Sequence, residues 1–109
     1  MTTINKVLEI LTWKSKPGVS DKKMINAVDA MVIDLKKLPG FLNQTLYLDD
    51  DGTWIDIYYW STEQDAHNSN EAMADKDSFK ALMPLIEEGS VTMKVVTQKQ
   101  ASGKIQLEQ

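Results

Sequence analysis

The 109-residue chain contains no cysteine and no arginine. Without cysteine it has neither disulfides nor thiolate metal sites, which agrees with a reducing, cytoplasmic location. Without arginine it lacks the planar fork that grips phosphates, carboxylates and guanine edges in two bonds at once. The twelve basic residues are therefore all lysine, and the net charge of −4 repels a polyanion at long range, so no nucleic-acid partner is expected. No apolar run approaches the roughly 18 residues that span a bilayer, and no membrane role is expected. The opening stretch MTTINKVLEI has neither a basic start nor a continuous apolar run, so no export signal is read there. A single histidine, His67, cannot assemble a metal site, and Asp49, Asp50 and Asp51 lack the spacing of a calcium loop. Triads, phosphate-cradling loops and dinucleotide fingerprints are absent as well. No metal and no cofactor are expected.

What the chain does have is alternation. KVLEILTW (6–13) sets Val7, Glu9, Leu11 and Trp13 against Leu8, Ile10 and Thr12, the period of a strand. Ser20 and Asp21 open a helix whose stripe runs through Met24, Val28, Met31, Leu35 and Leu38, and LPG (38–40) ends it. FLNQTLYL (41–48) alternates again, with Leu42, Leu46 and Leu48 opposite Asn43, Thr45 and Tyr47. The DDDG turn (49–52) joins it to WIDIYYW (54–60) as a hairpin. Ser61 or Thr62 caps a second helix through EQDAHNSNEAMA, and the chain breaks near Asp75 to Ser78 before a short amphipathic segment. Pro84 and Gly89 then punctuate the approach to a last strand, VTMKVVT (91–97). Strand, helix, two strands, helix, strand is the ferredoxin-like βαββαβ plan: an α+β sandwich with a four-stranded antiparallel sheet and two helices on one face. Residues 1–97 are expected to form this single domain, and residues 98–109 a polar tail with a possible short edge strand around Ile105 and Leu107.

On these features the chain resembles the dimeric α/β-barrel superfamily, in particular the antibiotic biosynthesis monooxygenase-like domains. The features are the first strand, the long helix ending in LPGF (38–41), the DDDG hairpin, and a strand ending in tryptophan before a helix, WSTEQDA (60–66). The resemblance spans about residues 4 to 97. It implies a sheet packed against a partner's sheet in a homodimeric barrel, and cofactor-free oxidation of small phenolic or quinol-like substrates. Haem-degrading members carry an asparagine late in the first strand, where Leu11 or Thr12 stands here, and a histidine near Phe79 to Pro84, where there is none. They also carry a tryptophan at about Ser69, and His67 lies too early to replace the missing haem ligand.

Candidate site residues follow from the strand parity. Glu9 and Asp56 fall on one face of what the plan makes adjacent central strands, about 4.8 Å apart. Two such carboxylates raise one another's proton affinity, so the pair is either a base for a phenol or a structural feature, a salt-bridged cluster where two sheets meet or a wetted surface. Lys94 on the last strand is placed with them. Trp13, Trp54, Tyr58 and Trp60 share that face by parity, either stacking on a flat aromatic ligand or anchoring a second subunit. The tryptophans, too many for one small monomer to hide, favour the homodimer. The cleaner face, Leu8, Ile10, Leu46, Ile55, Ile57, Val91 and Met93, is expected under the helices. Thr12, Tyr59, Met31 and Leu82 are further lining candidates, and His67 is a third possible base or an exposed helix residue. Two functions remain open: a cofactor-independent monooxygenase of a small aromatic substrate, and a non-catalytic small-ligand binding or sensing dimer.

Overall fold

The computed structural model describes residues 6–103. The elements are β1 (Val7–Lys14), α1 (Asp21–Leu35), β2 (Phe41–Leu48), β3 (Thr53–Trp60), α2 (Glu63–Met73), α3 (Asp77–Leu82) with a 3-10 turn at Met83–Leu85, and β4 (Thr92–Thr97). The sheet order is β2-β3-β1-β4 with every pairing antiparallel. This is the ferredoxin-like α+β arrangement expected above. Ser20 caps α1 by accepting from the Lys23 backbone N–H at 3.1 Å, and Thr62 does the same for α2 from Asp65 at 3.0 Å. The break after α2 falls at the expected place, and Pro84 sits in the 3-10 turn, where its missing N–H costs nothing. The expected edge strand at Ile105 and Leu107 lies outside the described residues.

The hairpin turn closes through Asp49, whose N–H reaches the Thr53 carbonyl at 2.8 Å and whose carbonyl accepts from Gly52 at 3.0 Å. Helix α1 stops earlier than LPG suggests. Leu38 and Pro39 already lie in the turn that leads to Gly40, which has φ +81. A side chain at Gly40 would fall 2.1 Å from the Asp65 carboxylate, so glycine is needed there for both angle and space.

The sheet faces are the reverse of the expectation. Val7, Glu9 and Trp13 of β1 and Trp54, Asp56, Tyr58 and Trp60 of β3 all lie buried beneath the helices, against Met24, Val28, Met31 and Leu35 of α1. The three indoles are 2%, 3% and 0% exposed, so one chain does hide them. Leu8, Ile10, Ile55 and Ile57, expected in the core, line the other face and stay half-buried. Only Leu46 of that expected set packs against the core. Met93, opposite Leu11, is on the helix side but half exposed at the edge, and Val91 precedes β4. The physical reason is volume. Helix α2 turns Ala66 and Ser69 toward the sheet, and such small residues leave depth for indoles, whereas isoleucines make a flat pleated surface.

Candidate functional site between the sheet and helix 1

Across the central pair, Glu9 stands opposite Tyr58 and Asp56 opposite Leu11, so the two acids share a face one pleat apart. Glu9 is 3% and Asp56 0% exposed. Burial pushes Asp56 up to about 6 from the ordinary 3.8, against the opposing pull of hydrogen bonds from Tyr58 and Gln44. The Gln44 side-chain amide donates to Asp56 Oδ1 at 2.6 Å, and the Tyr58 hydroxyl donates to Oδ2. The same burial, with the Asp56 charge beside it, holds the Tyr58 hydroxyl well above its ordinary range. Glu9 is raised chiefly by desolvation, eased by a hydrogen bond from the Trp60 indole N–H at 3.1 Å and raised further by the Asp56 charge. Its other oxygen, Oε2, and the Trp13 indole N–H have no hydrogen-bond partner among the described residues.

Two cavities flank this cluster along the seam between α1 and β2. One, of about 550 Å³, is bounded by Asp29, Val32 and Lys36 of α1 and by Phe41 to Gln44 of β2. The other, of about 530 Å³, is more apolar, with Ile25, Val28, Leu46, Leu48 and Trp54 in its wall. Asp29 and Gln44 border both. Gln44 is thus the side chain that touches the buried carboxylate and also faces open space.

Nothing in the sequence reasoning singled out Gln44, Asp29 or Lys36. A signal was present for Gln44: the pair Asn43–Gln44 breaks the alternation of FLNQTLYL, and the structure has a register shift there, between Phe41 and Asn43. The bulge returns Gln44, Leu46 and Leu48 to the helix side, opposite Tyr58, Asp56 and Trp54.

Of the candidates named from sequence, Glu9, Asp56, Trp13, Tyr58 and Trp60 come together under the helices. Thr12 and Tyr59 do not. Both lie on the opposite face, Thr12 with its hydroxyl bonded to that of Thr92, and Tyr59 opposite Leu8 and Asn43. Lys94 pairs with Ile10 on that face too, so its ammonium is separated from the acids by the sheet. Met31 and Leu82 are buried core residues. His67 is half exposed on α2, 3.4 Å from Glu63 one turn earlier.

Comparison with known proteins decides the fold. The chain matches SnoaB, a cofactor-independent oxygenase from Streptomyces nogalater, with a TM-score of 0.71 and 13% identity over 92% of this chain and 99% of that one. The fold is the one shared with proteins described as antibiotic biosynthesis monooxygenases. A monooxygenase from the gene ActVA-Orf6 of Streptomyces coelicolor, solved with the ligand Nanaomycin D, superposes with a TM-score of 0.69 at 21% identity, covering 91% of this chain and 92% of that one. Rv0793 from Mycobacterium tuberculosis matches with a TM-score of 0.66 at 14% identity, over 90% and 99% of the two chains. No family model and no curated protein sequence matches the chain.

Proposed function

We propose that the protein is a cofactor-independent monooxygenase of small phenolic or quinol-like compounds, with Asp56 as the base. The observation that carries this reading is a wholly buried carboxylate, raised to about 6, hydrogen-bonded to a glutamine that borders two open cavities. Raising the carboxylate from 3.8 to about 6 makes it about a hundredfold better base toward a phenol, whose own pKa is about 10. In the reaction Asp56 takes the phenolic proton and the electron-rich phenolate passes an electron to dioxygen. The resulting pair forms a carbon–oxygen bond at the ring position opposite the hydroxyl. Loss of the ring proton from that carbon then breaks the O–O bond. The leaving oxygen takes up both that ring proton and the proton held by Asp56 and departs as water. The balance is one phenol and one dioxygen to one quinone and one water, with no external reductant. The Trp54 side of the seam offers an apolar wall for the ring.

The working unit we propose is a homodimer joined through the uncovered sheet face. Leu8, Ile10, Ile55, Ile57 and Tyr59 are half-buried there with Tyr47 and Val96 exposed beside them, and no helix among the described residues lies over them. A flat apolar sheet of this kind is suited to face-to-face packing on a second copy of itself. The tryptophans have no part in this interface.

Supplying 1-naphthol in air tests the chemistry. Equal consumption of oxygen and appearance of naphthoquinone is expected from the purified protein, and a near-complete loss of both from Asp56→Asn. Binding without oxygen uptake across a set of phenols favours the non-catalytic ligand-binding reading.

A further inference from the structure

We infer that Gln44 is a gate on Asp56: in the free protein its amide occupies the position that a ligand's hydroxyl takes when bound, and it selects hydroxyl-bearing rings over their ethers. This rests on the reading of Asp56 as the group that receives the substrate. Asp56 is 0% exposed and Tyr58 3%, so a ligand reaches the carboxylate only if something moves. Of the two hydrogen-bond donors on Asp56, Tyr58 is locked in the core, stacked near Trp60 with ring centroids 6.4 Å apart. Gln44 is only part-buried, on edge strand β2 beside the bulge, with both cavities at its side.

The chemistry of the exchange is symmetrical. Gln44 gives Asp56 Oδ1 one N–H at 2.6 Å, and a phenol gives it one O–H of similar reach. The displaced amide does not lose its partners, because Asp29, Lys36 and Asn43 border the space into which it turns. An aryl methyl ether has no proton to donate. It does not displace the amide, because that would leave a buried anion short of a hydrogen bond, a larger loss than any gain of apolar contact from one methyl group; the ether stays in the open seam with Gln44 still on Asp56. Gln44 is therefore a positioning and specificity residue, distinct from the base it covers.

The test is binding under nitrogen at pH 8, where no oxidation takes place and Asp56 is ionised. 1-Naphthol and 1-methoxynaphthalene are titrated into the wild type and Gln44→Met, a variant of similar length without a donor, with tryptophan fluorescence as readout. Removing the competing amide should tighten naphthol by about tenfold and leave the ether unchanged. In the wild type, the side-chain amide resonance of Gln44 in a nitrogen-15 spectrum should shift on adding naphthol and not on adding the ether. That measurement stands even where Gln44→Met folds poorly. The gate is overturned if naphthol binds the variant no more tightly, if both compounds change by the same factor, if the Gln44 resonance ignores naphthol, or if naphthol binds neither protein. Displacement without turnover in air, by contrast, sinks the oxidation and leaves the gate.

Discussion

Replacing Asp56 by asparagine should flatten the dependence of stability on pH. In the unfolded chain this carboxyl ionises near 3.8, and in the folded protein at about 6. Below 3.8 both states hold the proton and the folded state is not penalised. As pH rises from 3.8 to about 6 the unfolded chain ionises first, so stability is lost, and above that the loss is constant. The displacement from 3.8 to about 6 amounts to about 3 kcal/mol, most of which falls between pH 4 and pH 7.5. Asparagine can keep both neighbours, since its amide serves the Tyr58 oxygen or a rotated Gln44. The raised Glu9 contributes a loss of the same sign and Asp51, lowered by hydrogen bonds from Thr53, the opposite. Both largely cancel when variant and wild type are compared. Urea denaturation at fixed protein concentration, followed by the buried tryptophans at the two pH values, measures the difference directly. Equal pH dependence in the two proteins would refute a desolvated, ionisable Asp56.

Gly40→Ala should cost about 3 kcal/mol in thermal or chemical denaturation, combining the clash with Asp65 and the positive φ. Adding Asp65→Ala should return only part of it, because the Cβ of residue 65 stays 2.7 Å from the new methyl group and the positive φ remains. Trp60→Phe removes the donor to Glu9 and should destabilise by about 2–4 kcal/mol. Because that hydrogen bond favours the charged carboxylate, the loss should be greater at pH 8 than at pH 5 in paired urea titrations. Ile57→Lys, on the uncovered face, should halve the mass seen by sedimentation at micromolar concentration while the tryptophan emission of the core stays unchanged. An unaltered sedimentation profile would count against that face as the interface.

The element order, the two side-chain caps, the hairpin at Asp49 to Gly52 and the break before Asp77 were all legible in the chain, because each is set by neighbours within a few residues. The same parity that grouped Glu9, Trp13, Asp56, Tyr58 and Trp60 also held, since a strand's alternation is fixed by its backbone. What alternation does not carry is direction. Both faces of β1 and β3 are apolar enough to be covered, and the choice fell to the depth that Ala66 and Ser69 leave between α2 and the sheet. That choice left Thr12 and Tyr59 on the uncovered face instead of under the helices and took the indoles away from the proposed interface, while the register of β4, which sets Lys94 opposite Ile10, separated that ammonium from the acids.

The sequence by itself determined which side chains travel together, through periods of two and 3.6 residues that belong to the backbone. The tertiary structure alone decided which group lies under the helices, because filling that space depends on volumes from segments far apart in the chain. It alone also set Gln44 of one strand on Asp56 of the next, through a bulge that shifts the register of β2.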